Sequence, residues 1–470
     1  MSSVLSPSMP SDEVSRLDTC ERTPRSIPSA DGHWLLGSAR EFAHAPHLFV
    51  AEQGRRNGGL TQFRVLHKRF LATASPDVAH QILVTHREHY ERSAHYKRLG
   101  LLIGNGLAAS EGSTWRKRRA LINPLLRGEH LKQLVPTVCD SVCEVLKDWE
   151  NKRMEGTPIG MVRETQRLAM GAISRMLLST DISQDTSHRL GNAMREAMRL
   201  LREYNTSLFP IPLSCPVHRN RRFNGHRETL DRFIDGHIKS RRTDGQPDKP
   251  DFLSVLMAAE DPDSGERLPQ QALIDETKTL FLAGFETTSS AMSWSLYLLA
   301  SHPECAAKWQ EEVDRVLQGR LPQWDDLPKL SYITQVLQET MRLYPPFYTL
   351  ARQCVREDRI AGYTIPKFAT ILISVYGIHR DAAWGSDREE FRPERFARKA
   401  DIPRTAYIPF ATGKHVCVGN DFTMTEMITT LAILGQRYRL TRADDKPVEA
   451  KAQIGLVPAR EIPVYLELRK

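Results

Sequence analysis

Phe410-Ala-Thr-Gly413-Lys-His415-Val-Cys417-Val-Gly419 is the stretch on which the reading of this chain turns. One cysteine, Cys417, has Gly413 four residues before it and Gly419 two after, with Lys414 and His415 just upstream. Apolar residues then recur at helical spacing (Phe422, Met424, Met427, Ile428, Leu431, Ile433, Leu434), which predicts a helix over 420–434. Cys417 is thereby presented near a helix N-terminus, where backbone N–H groups and the helix dipole favour an anion, here a thiolate. A free cysteine is more often a small buried hydrophobe. Glycines on both sides, which let the loop fold tightly, suit a different role, that of offering an axial sulfur to a flat macrocycle.

Phe, Gly, a basic residue, Cys and Gly at this spacing resemble the haem-binding loop of the cytochrome P-450 family, whose haem iron is held by a cysteine thiolate. The resemblance implies that Cys417 is the axial ligand of the iron of haem b, in a loop shaped by Phe410, Gly413 and Gly419. His415 stands where most members carry Arg and is implied to bind a haem propionate. The implied fold is the mainly α cytochrome P-450 fold with small β-sheets, haem lying between a long central helix and the Cys417 loop.

Four further motifs follow the family's order. The longest apolar run, 273–300, has a helical pattern and carries Ala283-Gly284-Phe285-Glu286-Thr287-Thr288 near its centre. A glutamate and two threonines inside such a helix are costly unless hydrogen-bonded or functional, and they exclude a membrane span. On its own the run reads as a helix with a polar face at a seam. The resemblance implies instead an acid–alcohol pair: Thr287 hydrogen-bonds bound dioxygen, Glu286 relays protons, and Ala283 and Gly284 let haem approach the backbone.

Trp115 and Arg119 are i, i+4 neighbours on a predicted helix, able to hydrogen-bond a carboxylate through indole N–H and guanidinium. Spacing alone favours a core Trp beside a surface Arg; the resemblance implies propionate binding, with Arg352 as a further propionate ligand. Arg116, Lys117 and Arg118 are expected to face outward, towards a redox partner. Glu339 and Arg342 share a helix face, and Pro393-Glu394-Arg395-Phe396 supplies a second Arg. Together they resemble the family's structural Glu-Arg-Arg network. His379-Arg380-Asp381 matches a kinase loop in letters only, for nothing else of a kinase accompanies it.

Elsewhere, 60–73 reads as a hairpin followed by a helix at 77–85, 100–112 as a glycine-punctuated loop, and 126–201 as mostly helical. Residues 204–218, with three prolines, break the helices; 241–250 reads as an exposed connection; and 349–373 alternates like strands around a turn at Ala361-Gly362. Residues 1–30, rich in Ser, Pro and charge, read as a flexible tail, with 31–470 as one domain.

The 470 residues are 40% hydrophobic and 26% charged, enough for a sizeable core. The net charge of +8 is spread among acids with no long basic run, so it implies an acidic protein partner and not nucleic acid. Seven cysteines, none in a CxxC pair, imply a reduced, cytoplasmic setting. No apolar run of signal or membrane-anchor length opens the chain, which in this respect is similar to the soluble bacterial members.

The expected activity is insertion of one oxygen atom from dioxygen into a hydrophobic small molecule, by a monomer. Because the chain ends soon after the Cys417 helix, electrons are expected from NAD(P)H through a separate ferredoxin or flavodoxin and its reductase. Largely apolar residues (Leu101, Leu107, Ala108, Leu208, Phe209, Phe281, Ala283, Phe347, Leu350, Leu456) are expected to line the substrate cavity, which suits a fatty acid, terpenoid or other secondary metabolite. The alternatives are a peroxide-using or isomerising haem-thiolate enzyme, whose members usually lack the acid–alcohol pair, and a non-catalytic haem- or ligand-binding protein.

Overall fold

In a computed structural model, which describes residues 26–206, 211–243, 251–260, 265, 267–453 and 455–469, the run around Glu286 is a single helix, Gln270–Ser301. Apolar on nearly every side, it must be enclosed by other elements, and Phe285, Met292, Trp294 and Leu296 are all at most 1% exposed. It packs along Met161–Leu178 and meets Ser331–Leu343 and the cysteine helix, Asn420–Arg437, so that one apolar cluster joins them. The long helices Glu129–Met154, Gln184–Thr206 and His218–Thr243 complete a mainly helical fold.

The sheets are small. β1 (Thr61–Val65) and β2 (Lys68–Thr73) form the expected hairpin, turning at Leu66 with φ +56°. β3 (Tyr90–Arg92) and β4 (Ile159–Gly160) are short; β5 (Thr349–Cys354), β6 (Asp358–Ile360), β7 (Tyr363–Ile365) and β8 (Thr370–Ser374) come from the alternating stretch. The largest sheet has the order β1-β2-β8-β5-β3, parallel only between β2 and β8. β6 and β7 pair around Ala361-Gly362.

Three local expectations change. The helix predicted over 77–85 is Pro76–His80, capped by Ser75 and relaxing into a π-turn at Gln81–Thr85. The first part of the supposed loop 100–112 belongs to the helix Ala94–Ile103, which stops at Gly104 with φ +73°. Arg241, expected in an exposed connection, is buried against the Asp251 carboxylate, and its guanidinium also donates to Leu178 O. Residues 1–25, Leu208, Phe209 and 244–250 lie outside the described residues.

The Glu-Arg-Arg network forms as expected. Arg342 donates to Glu339 through Nε (2.6 Å) and Nη2 (2.8 Å), and Arg395 Nε reaches the same carboxylate at 3.2 Å. Arg342 and Glu339 have no exposed side-chain surface. Breaking a buried ion pair leaves a charge uncompensated, at about 3–5 kcal/mol. Glu339→Gln, which keeps the shape, should lower unfolding stability by that amount in urea denaturation followed by tryptophan fluorescence; a change within about 0.5 kcal/mol, the size of an ordinary surface substitution, would contradict the network's role.

Candidate active site

Cys417 precedes the helix Asn420–Arg437, and its N–H closes the loop on Phe410 O at 2.9 Å. The two glycines differ in why they are needed. Gly413 has φ +72°, and a Cβ there would sit 1.8 Å from Leu83 O, so no side chain fits. Gly419 has φ −91°, and a Cβ there would meet nothing nearer than Cys417 Sγ at 3.9 Å. The polypeptide itself does not demand that glycine; it keeps room beside the sulfur. Cys417 retains accessible surface, yet desolvation pushes the thiol up, against the opposing Gly419 N–H and Arg119 charge. The helix N-terminus therefore does not by itself make a thiolate; a coordinated metal deprotonates such a thiol outright.

Beside the loop lies a cluster of donors. Trp115, on the helix Gly112–Ile122, sets its ring edge-on to His415 with centroids 4.6 Å apart. Trp115 Nε1 and both ring nitrogens of His415 are buried without an aligned hydrogen-bond partner. His415 Nε2 is 3.1 Å from Glu111 Oε1, close but too poorly aligned to count as a hydrogen bond. Burial lowers the His415 pKa, helped by the charges of Arg92 and Arg352 and opposed by Glu111. Arg119 anchors to Val416 O at 2.9 Å.

Pairing of β3 with β5 sets Arg92 opposite Arg352, which is buried and donates to its neighbour's carbonyl, Ala351 O, at 3.1 Å. Arg92 donates to Leu107 O at 2.8 Å. The structure thus gathers Trp115, Arg119, Arg352 and His415, and adds Arg92, which sequence reading missed. Its only local signal was a three-residue strand. Three guanidiniums with orphaned indole and imidazole donors fit a ligand bearing two carboxylates, and with the open space beside Sγ they fit haem.

On the central helix Ala283 is exposed, and Gly284, Glu286 and Thr287 are half-buried. Thr287 Oγ1 donates to Ala283 O at 2.7 Å, so its hydroxyl must rotate before donating elsewhere. Gly284 has a different role from the expected one. A Cβ on it would meet Ile173 Cδ1 at 2.9 Å, so it serves packing against Met161–Leu178, while Ala283 offers the open surface.

Glu286 Oε2 is buried and unpartnered. Burial raises the carboxyl pKa, against the opposing charge of Arg195. Glu286 lines a cavity of about 620 Å³ with Gln166, His188, Asn192, Arg195 and Ser289. Arg195 Nη1 donates to Gln166 Oε1 at 2.6 Å, and the exposed Arg163 stands in the same lining.

Two more expectations shift. Arg118 does not face a partner: its Nε lies 3.2 Å from Glu276 Oε1, with side chains 14% and 1% exposed, whereas Arg116 is exposed. Of the proposed cavity residues, Phe281 and Leu456 are 2% and 0% exposed, and Leu456 O accepts from Ser290 Oγ and Trp294 Nε1. Leu107 and Leu350 are buried too, while Leu101, Ala108, Ala283 and Phe347 keep accessible surface.

Fold and site together fit a haem-binding enzyme whose cluster of anion-binding donors lies beside the Cys417 loop. The family model described as Cytochrome P450 matches residues 27–464, and the chain belongs to that family. It is 30% identical over 449 residues, 94% of both chains, to cyclooctatin synthase of Streptomyces melanosporofaciens. Cyclooctat-9-en-7-ol 5-monooxygenase of the same organism is 29% identical over 428 residues, covering 90% of each chain. Pentalenene oxygenase of Streptomyces avermitilis is 28% identical over 442 residues, covering 93% of this chain and 96% of its own. The chain is accordingly a haem-dependent monooxygenase that takes electrons from redox partners and acts on a hydrophobic substrate. Among the described residues, no helix is long and apolar enough to cross a membrane.

Trp115→Phe keeps the ring packing and deletes one donor. A hydrogen bond to a charged group contributes about 1.5–3 kcal/mol, so haem transfer to apomyoglobin should quicken roughly 10- to 100-fold. An unchanged transfer rate would place the haem carboxylates elsewhere.

Proposed function

We propose that the chain hydroxylates or epoxidises a terpenoid hydrocarbon or terpenoid alcohol, using haem b ligated by Cys417, with electrons from NAD(P)H through a separate ferredoxin or flavodoxin and its reductase. In this reading residues 31–470 act as one domain, as a cytoplasmic monomer. Two relatives are named for an alkene alcohol and an alkene, and the accessible Leu101, Ala108, Ala283 and Phe347 offer apolar surface to such a molecule.

The observation that carries the proposal is the unpartnered Glu286 carboxyl beside Thr287, at the edge of a polar cavity. When bound, haem supplies the binding and reductive cleavage of dioxygen, which electron donation by the cysteine thiolate favours. Trp115, Arg119, Arg352, His415 and Arg92 hold its carboxylates. Gly419 leaves room for it beside the sulfur, and Gly413 lets the Cys417 loop pack against Leu83 O. Glu286, protonated more readily than an ordinary carboxyl because burial raises its pKa, carries protons inward from water in the cavity, and Thr287 hands them on after its hydroxyl turns from Ala283 O. An isomerising or peroxide-driven enzyme has no need of that pair.

Glu286→Gln cannot carry a proton. Turnover should fall on the order of 10²-fold, with substrate affinity kept, and Thr287→Ala should divert reducing equivalents into hydrogen peroxide. In the native enzyme the proton-dependent rate should decline as pH rises through the elevated Glu286 pKa, because the donor form is lost, and Glu286→Gln should lack that limb. Coupled hydroxylation at the native rate in both variants would refute the proton route. Arg116→Glu, at an exposed position near the half-buried Arg118, should slow reduction by the redox partner in stopped-flow traces without altering substrate binding. Equal reduction rates would move the docking surface.

A further inference from the structure

Two chain segments meet at the far end of the β3–β5 ladder. One descends from the π-turn Gln81–Thr85 through Arg87–His89 into β3; the other leaves β5 and enters β6 at Asp358. Tyr90 stands opposite Cys354, and Val355 N donates to His89 O at 2.8 Å, which locks the two segments together. His86, His89 and Asp358 are thereby brought within reach of one another. One ligand atom from each lies within 4.8 Å of the others, the only such His/Cys/carboxylate grouping among the described residues.

We propose that His86, His89 and Asp358 form a binding site for a divalent transition metal ion of the zinc type. Two imidazole nitrogens and one carboxylate are a donor set that suits zinc, with further positions left to water. His86 Nδ1 lies 2.9 Å from both carboxylate oxygens of Asp358, and His89 Nδ1 lies 3.2 Å from Oδ1. Ligands about 2.0–2.1 Å from a tetrahedral zinc are separated by roughly 3.4 Å, so small side-chain rotations open the three donors to the required spacing.

The carboxylate is already oriented: Tyr90 Oη donates to Asp358 Oδ2 at 2.8 Å and Arg359 N to Oδ1 at 2.9 Å. Outer hydrogen bonds of this kind hold a metal ligand in place. The Asp358 side chain is only 6% exposed, while His86 and His89 are 31% and 21% exposed, which leaves a way in from solvent.

His89 Nδ1 adds an independent sign. It is buried and makes no aligned hydrogen bond, despite its nearness to Asp358. The exposed Arg356 guanidinium meets His89 Nε2. Metal on Nδ1 requires the proton at Nε2, so Arg356 swings outward when the ion binds. No redox step or bond rearrangement is involved: the ion takes the place of the His86 Nδ1–Asp358 hydrogen bond and of the unaligned His89 Nδ1 contact, and the imidazole protons move to Nε2.

The test is zinc uptake by the haem-loaded protein, freed of metal with a chelator, dialysed against zinc sulfate and assayed by elemental analysis and calorimetry. Wild type should retain one zinc per chain, and His89→Gln and Asp358→Asn should each weaken binding roughly tenfold or more. Far-UV circular dichroism reports whether each variant is folded, and His89→Gln guards against an unfolded Asp358→Asn, because His89 Nδ1 makes no aligned bond to lose. Failure to retain zinc, or the same isotherm in wild type and in folded His89→Gln, would overturn the proposal. Neither outcome depends on the monooxygenase reading.

Discussion

The wholly buried guanidinium of Arg342 donates to both oxygens of Glu339 and, beyond them, to the carbonyls of His379, Arg388 and Glu390. Burying such a pair costs several kcal/mol per ion unless every donor and lone pair finds a partner, and here the surrounding chain supplies them. The helix Ser331–Leu343 is thus tied to the segment that leads to the cysteine loop. His379 accepts from Ile408 N through Nε2 at 2.9 Å, Trp384 Nε1 donates to Ala406 O, and Tyr407 Oη donates to Gln338 O. Two residues after Ile408, Phe410 O receives the Cys417 N–H. The sulfur is therefore positioned by a framework that itself does no chemistry.

Burial shifts the titration of three groups around the site, in each case by disfavouring charge. It pushes up the Cys417 thiol and the Glu286 carboxyl and lowers the His415 imidazole. Positive charge resides on Arg92, Arg119 and Arg352. The site consequently has a cationic side, suited to the carboxylates of haem, and, on the central helix, the Glu286 carboxyl at the edge of a cavity that Gln166, His188 and Arg195 also line. A metal coordinated at Cys417 would oppose that upward shift, because a coordinating thiol is deprotonated.

The helices, the hairpin and the order of the motifs could be read from the sequence because each is local: periodicity of 3.6 or 2, a glycine pair, a Cys before an apolar run. What escaped depends on contacts between distant segments. Arg116 and Arg118 look alike in sequence, and only the approach of Glu276 turns one inward. Gly284 reads as an opening for a ligand until Ile173 is seen packed against it. Arg92 joins the anion cluster through a three-residue strand whose partner, around Arg352, lies far along the chain. Glu286 could be named from its motif, but its proton affinity follows from a fold that leaves one oxygen without a partner. The His86–His89–Asp358 cluster has the same long-range origin.

Every role assigned to the site requires that Cys417 hold haem iron as a thiolate. The most direct measurement is the absorption spectrum of the dithionite-reduced protein under carbon monoxide. A Soret band at the red-shifted position of thiolate-ligated haem is the predicted result. A band at the position of histidine-ligated haem, or no haem absorption at all, would contradict it.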